Sequence, residues 1–386
     1  MTSHIVGWGH TPFGRLKDQS VEDLLVSSAR EAIAHAEIDP SEIDAIWIGH
    51  FNSGLTTDAF VSSLALQVDD RLRFKPAVRV ENACASGSAA IYAARDAIAS
   101  GRVRTALVIG VEKMTDQDTP AVTRALSGAS YQREESHLSF PSVFSTFARS
   151  YFDAYGDHAL ALARIASKNH ANAMANPLAH MHKPLSVEDC NTVGERNPMI
   201  AAPLRMSDCS LISDGAAALV LASADMSAHF PRAVGFRAAE QVNDFLPMSR
   251  RDLLRFEGPA RAFARAWDAA GIGVQDLDFA EVHDCFTIAE LMIYEAMGLA
   301  PAGQGHRLLE EGTVLAGGDL PVNLSGGLKA KGHPVGATGV SMHVMAARQL
   351  MGEAGDMQRQ GAELGCVFNM GGSGVANYCS ILEAVR

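Results

Sequence analysis

Two stretches far apart in the chain share one pattern, and that repetition restricts the fold more than any other feature. Glu31–Ile48 reads EAIAHAEIDPSEIDAIWI and Arg265–Val282 reads RAWDAAGIGVQDLDFAEV. Each is a helix, a turn, an acidic Ile/Leu-Asp step and a strand. A second echo follows in the same order. Ala83-Cys84-Ala85-Ser86-Gly87 and Val335-Gly336-Ala337-Thr338-Gly339 both read as small-residue helix starts, and each helix leads to an apolar strand, Ala106–Gly110 and Leu364–Phe368. One match is within reach of chance; two in the same order point to a duplicated α/β unit. Helical stretches such as Val21–Ala36 and Gly87–Ala99 alternate with short β-rich runs such as Ala45–Ile48 and Ala106–Val111. This predicts an α/β fold with mostly parallel central strands, covered by helices on both faces.

Thr115–Pro203 breaks the alternation. It is rich in Ser, His, Asn, Pro and Met, with helical islands at Phe147–Tyr155 and Ala159–Met174. It is too long for a simple connection and reads as an inserted lobe, after which strand-like Ala216–Ala222 returns the chain to the first half. The 386 residues suffice for roughly two to three domain-sized cores. No apolar run approaches the roughly 18 residues of a membrane span. The start MTSHIVGWGH lacks a basic region before an apolar core, and the end Glu383-Ala384-Val385-Arg386 carries no peroxisomal or retention tag. A soluble, cytoplasmic protein with no membrane partner is expected.

The formal net charge is −12, with no stripe of Lys and Arg, so no nucleic-acid partner is expected. An anionic ligand would have to be held by a local basic patch. The cysteines, at 84, 190, 209, 285, 366 and 379, read as buried thiols or catalytic groups rather than disulfides. Only His180-x-His182 and His283-x-Cys285 have metal-like spacing, and no metal site is expected from them.

Four segments could carry chemistry. Cys84 opens a helix, where the positive end of the dipole and free N–H groups favour thiolate; the alternative is a small buried cysteine. His333 sits between Gly332 and Pro334 in the glycine-rich run Asn323–Gly339, which has neither Walker nor dinucleotide spacing. A neutral imidazole there could accept a thiol proton, or be incidental to a packing turn. Glu281-Val282-His283-Asp284-Cys285-Phe286 follows a strand, so His283 and Cys285 point the same way. Cys366–Gly374 runs from a strand into a flexible backbone able to aim N–H groups at an oxyanion. Loops after strands in such a fold converge on one crevice.

Together, Val80–Gly87, the His283-Asp284-Cys285-Phe286 box, Gly332–Gly339 and Gly371-Gly372-Ser373-Gly374 resemble the thiolase superfamily along essentially the whole chain. Ser167-Lys168-Asn169-His170 with Asn176-Pro177 looks like its loop domain, and Ser213–Ala218 like the strand returning from it. The resemblance implies a thiolase fold: two duplicated βαβαβαββ halves in a five-layer αβαβα sandwich with an inserted loop domain. The boundaries expected are 1–114 with 204–228 for the N-terminal half, 115–203 for the loop domain and 229–386 for the C-terminal half. Most thiolases carry a second cysteine in a C-terminal Cys-x-Gly-x-Gly box and Asn-Glu-Ala-Phe where this chain has His283–Phe286. Counting back from Gly374 puts Phe368 at that cysteine's place, with Cys366 two residues early. The chain thus looks like the sterol-carrier-protein type, in which the cysteine of the His-Asp-Cys-Phe box takes over the acid/base role. The carrier domain fused to some members is expected to be absent, the chain ending just after its last strand.

The resemblance implies that Cys84 attacks an acyl-CoA thioester after His333 accepts its proton. Cys285, its pKa lowered by His283, deprotonates a second acyl-CoA to give a 3-ketoacyl-CoA, or the reverse, thiolysis, occurs. The enolate would be held by His333 and a water on His283. The adduct on Cys84 would be held by its own N–H and one from Met370 or Gly371. CoA and acyl-CoA are the expected ligands, with no permanently bound cofactor. Lys168, Lys183, Arg196 and Arg205 are candidate CoA contacts by sequence neighbourhood. A homodimer or dimer of dimers is implied, joined through the first half, with apolar Ala106–Val111 near an edge. The alternatives are a related condensing enzyme of the 3-ketoacyl or 3-hydroxy-3-methylglutaryl-CoA synthase type and a non-catalytic acyl-CoA-binding scaffold.

Overall fold

The computed structural model describes residues 2–386. Among them, the strands are β1 (Ser3–His10), β2 (Ala45–Gly49), β3 (Ala77–Val80), β4 (Thr105–Glu112), β5 (Met199–Ala201), β6 (Leu204–Arg205), β7 (Gly215–Ser223), β8 (Val234–Asn243), β9 (Phe279–Val282), β10 (Leu364–Gly371) and β11 (Ala376–Ala384). The longer helices are α1 (Val21–Ala36), α2 (Ser86–Ala99), α3 (Thr119–Ser127), α4 (Phe140–Tyr155), α5 (Ala159–Ala173), α6 (Glu257–Ala270), α7 (Thr287–Ala296) and α8 (Val335–Leu350). None is long and apolar enough to cross a membrane. Helix α1 shows how local signals set the bounds. Ser20 and Asp23 close a capping box at its start, and Glu37 ends it in the left-handed conformation.

The duplication is visible in the strand order β3-β2-β4-β7-β1-β8-β11-β10-β9. Read outward from the middle, each half runs fifth-from-first in the same sense: β1, β7, β4, β2, β3 on one side and β8, β11, β10, β9 on the other. The third strand of the second half shrinks to a single parallel bridge, Ala280 to Val322. The halves join where His4 and Ile5 pair with Gly235 and Val234. Two expectations need correction. The sheet is mixed rather than mostly parallel, since β2 pairs in parallel with β3 and β4, and β9 with β10, while β7, β1, β8 and β11 pair antiparallel. The closing pair of strands in each unit accounts for this. Ala106–Val111 is not near an edge either, because β4 lies between β2 and β7; β3 is the edge.

Helix α1 packs on β1 and β7, and α6 on β8 and β11, forming outer layers, while α8 touches β4 and β7 of one half and β9 and β10 of the other. With α2 beside it, α8 makes the middle layer. These two helices touch backbone to backbone. A Cβ on Gly87 would sit 2.8 Å from the Val340 nitrogen, and one on Gly339 would sit 2.3 Å from the Ser88 nitrogen. Side chains at these positions would drive the layer apart. The small residues of the second sequence echo are therefore the contact surface of two crossing helices.

Candidate active site

The crossing brings together the two loops that precede α2 and α8. Cys84 stands two residues before Ser86, and His333 two residues before Val335. The turn under Cys84 is tight. Ala83 is held in the left-handed region at φ 50°, the Ala85 amide donates to Asn82 O at 3.1 Å, and Ser86 Oγ donates to Ala83 O at 2.6 Å. His333 is oriented by Thr338. The Thr338 hydroxyl spends its proton on Pro334 O at 3.0 Å, so it accepts from Nδ1 of His333 at 2.7 Å. That assigns the imidazole proton to Nδ1 and leaves Nε2 as a lone pair. The loop after β9 adds His283, whose ring lies edge-on to His333 with centroids 5.1 Å apart. The Cys84 sulfur and one ring nitrogen from each histidine all lie within 4.8 Å of one another.

Cys84, Cys285 and His333 line one cavity of about 340 Å³ whose other walls are chiefly apolar, among them Phe51, Met114, Val122, Leu126 and Phe140. The four residues expected to carry the chemistry thus meet at one place. Dryness sets their protonation, and two expectations change. Cys84 is not a resting thiolate. Burial, then the Glu112 carboxylate, pushes its thiol up to about 12, against the opposing pull of the Gly372 and Cys84 amides. Burial pushes Cys285 well above the ordinary thiol range, with Cys84 and Asp284 adding to it. His283 cannot lower it, because burial, then His333, drives the His283 ring well below its usual value and keeps it neutral. Burial and Lys331 hold His333 down to about 3. The resting site contains two thiols and two neutral imidazoles.

The amide facing the Cys84 sulfur besides its own is that of Gly372, rather than Met370 or Gly371. Gly371 instead lies against Asn82, where a Cβ would be 2.4 Å from the carbonyl oxygen. The gap-free count that set Phe368 at the site is also overturned. Phe368 stacks on Phe263 of α6 at 4.5 Å, on the outer face of β10. Cys366, two residues earlier, shares that face and contacts Cys379 at 3.9 Å. The residue facing inward is Asn369, which touches Ser88, Cys84 and His283. Sequence reasoning missed Asn369, though the period of two along β10 could have found it. It also missed Glu112, fully buried, whose carboxylate accepts from the amides of Phe51, Asn52 and Gly336 and so ties the start of α8 to the loop after β2.

The four candidate CoA cations separate. Lys168 is buried, donating to Glu290 Oε1 at 2.5 Å and Val322 O at 2.7 Å. Arg205 is buried against Asp208, Asn191 and the Ala159 carbonyl. Both are buried and held by internal partners, which removes them as phosphate contacts. Lys183 and Arg196 instead line a cleft of about 820 Å³ together with Lys329; it shares Met206, Cys209, Ser210 and Leu211 with the cavity at Cys84. The metal-like pair His180 and His182 is split between Ser213 Oγ at 2.9 Å and Asn176 O at 2.6 Å.

Family models match both parts of the chain: "Thiolase, N-terminal domain" over residues 3–225 and "Thiolase C-terminal domain-like" over 239–384. An acetyl-CoA acetyltransferase of Methanothermobacter thermautotrophicus is 38% identical over 374 residues, covering 96% of each chain. Sterol carrier protein 2 of Bos taurus is 33% identical over 95% of this chain and 69% of its own length. Among solved structures, an Ltp2-ChsH2(DUF35) aldolase superposes with a TM-score of 0.83 at 22% identity, covering 100% of this chain and 98% of that one. Human mitochondrial 3-ketoacyl-CoA thiolase superposes with a TM-score of 0.78 at 18% identity, covering 100% and 99%. At such identities these two likenesses speak for the fold.

Proposed function

The chain belongs to the thiolase family, and from that premise we propose that it makes and breaks 3-ketoacyl-CoA through an acyl group carried on Cys84. The observation that carries this reading is the meeting of the Cys84 sulfur with His333 and His283 within 4.8 Å, in a cavity that also holds Cys285. Nε2 of His333 accepts the Cys84 proton as the sulfur attacks the thioester carbonyl. The amides of Cys84 and Gly372 hold the oxyanion. Because Cys285 rests as a thiol, it serves first as an acid, giving its proton to the departing CoA sulfur. The thiolate so formed takes the α-proton of the second acyl-CoA. The enolate attacks the acyl group, the Cys84 sulfur leaves, and it recovers its proton from His333. Both thiols and both imidazoles end as they began. Run backwards, the same steps are thiolysis.

In this reading Lys183, Arg196 and Lys329 meet the phosphates of CoA, a local patch that the −12 net charge does not prevent. The N-terminal half is 1–114 with 204–228, the loop domain 115–203 and the C-terminal half 229–386. A homodimer would form along β3, where Val78 and the neighbouring Phe60 and Phe74 are exposed apolar groups at an open edge. Six free cysteines suit the reducing cytoplasm. A synthase-type enzyme or an inactive scaffold is not favoured, since either would leave Cys285 idle beside the nucleophile. Incubation with acetyl-CoA and mapping of the adduct by mass spectrometry tests the proposal. An acetyl group on Cys84 with release of CoA is expected; a label on another residue would overturn it.

A further inference from the structure

The inward-facing amide of Asn369 is anchored at both ends. Its Oδ1 accepts from Ser88 Oγ at 2.8 Å, and its Nδ2 donates to the Cys84 carbonyl at 3.3 Å. A carbonyl can only accept, so this contact fixes which end of the amide carries the nitrogen. The same Nδ2 lies 2.9 Å from Nδ1 of His283, with both groups fully buried. Nδ2 has two protons and no lone pair to offer. Nδ1 of His283 must therefore be the bare nitrogen, and the single proton of the neutral ring falls on Nε2. That nitrogen is buried and has no hydrogen-bond partner among the described residues.

We propose that Asn369 is a positioning residue that holds His283 in the Nε2–H tautomer, so that His283 presents a hydrogen-bond donor to the thioester or enolate oxygen of the substrate. His333 is set the opposite way by Thr338, with its Nε2 bare. Two imidazoles in edge-on contact are thus assigned contrary roles before substrate arrives, one to accept a proton and one to stabilise negative charge. A buried N–H without a partner is costly in the resting protein, and it is repaid when an oxyanion fills the site. The pairing also argues against a metal on Cys84, His283 and His333, because the free nitrogen of His283 carries a proton in place of a lone pair. What the donor is used for rests on the thiolase reading; where the proton sits does not.

The test is ¹⁵N-histidine NMR of the full chain, with His283 identified by its absence in His283→Asn. The resting protein should show the His283 proton on Nε2. Asn369→Asp offers only acceptors to Nδ1, so the proton should move there. Condensation and thiolysis should then fall by roughly 10²–10³, in kcat rather than in KM. Ser88→Ala frees the Oδ1 end of the amide and should mix the two tautomers, an independent reading should the aspartate variant fold poorly. A proton on Nδ1 in the wild-type protein, or full kcat in an Asn369→Asp protein whose tautomer has switched, overturns the inference while leaving an acyl group on Cys84 untouched. Failure to acylate Cys84 with the tautomer as assigned would instead sink the functional reading.

Discussion

The first half of the sheet places a cysteine where the second half places a histidine. Cys84 and His333 each stand two residues before a helix of the middle layer, on loops that follow corresponding strands or bridges. The comparison extends one strand over. His50 directly follows β2 and His283 directly follows β9, each beside the end of the next strand, β4 or β10. There the halves differ. Nδ1 of His50 faces the Val111 carbonyl at 3.0 Å, which can only accept, whereas Nδ1 of His283 faces the Asn369 amide nitrogen at 2.9 Å, which can only donate. Duplication thus supplies matching places, and a neighbouring residue decides the protonation at each. In the proposed function the first half carries the acyl group and the second moves protons.

The division can be broken most completely at the nucleophile. Cys84→Ala should abolish the acyl adduct and reduce turnover by roughly 10⁴-fold or more, read by intact mass and CoA release. Cys285→Ala should sharpen it: the adduct on Cys84 should still form, though more slowly for want of a proton donor to the departing CoA sulfur, while condensation and thiolysis drop by roughly 10²–10⁴. Equal loss of both half-reactions would erase the assignment of proton handling to the second half. Gly339→Ala tests whether the halves must touch. Its Cβ would press on the Ser88 backbone, and urea titration should show a loss of roughly 1–3 kcal/mol. Acid tests the buried imidazoles of both halves. His10 and His333 are held down to about 3 and His343 to about 4, in each case chiefly by burial, so the unfolded chain binds protons near pH 6.5 that the folded chain refuses. Stability should fall as pH drops below 6.5 and go on falling toward pH 4, by about 1 kcal/mol per histidine at pH 5.5. A melting temperature unchanged between pH 7.5 and pH 5.5 would contradict this. Cys366→Ala should do least, costing about 1 kcal/mol of packing and no catalysis, since that thiol faces away from the site.

The duplicated plan was legible, and so were the four residues that the structure brings together at the crossing, because each leaves a local mark. Small residues open the middle helices, and a histidine fixed between glycine and proline has few other uses. What escaped was set by faces and burial. Counting residues back from Gly374 ignored that a step of one along a strand reverses the side chain, and so chose Phe368 over Asn369. Lys168 and Arg205 looked like free cations because Glu290 and Asp208, which hold them, are not marked as partners by sequence. The expectation of a thiolate at Cys84 weighed only the helix dipole and nearby N–H groups; burial in a cavity lined by Phe51, Met114 and Val122 outweighs them.

The pairing of β1 with β7 has a consequence for how the molecule is made. Ser3 meets Ser223 and His10 meets Ala217, so the first strand off the ribosome waits for the seventh before it gains a neighbour in its own half. β4 likewise keeps one side open until β7 arrives. During synthesis, two apolar edges are bare while the whole lobe between β4 and β7 is being added. Early folding of that lobe would shorten the effective loop and hasten closure, because the entropy of joining distant ends grows with the length of flexible chain between them. Nascent chains stopped before Gly215 should therefore be sticky and dependent on chaperones, and those released beyond Ser223 should not.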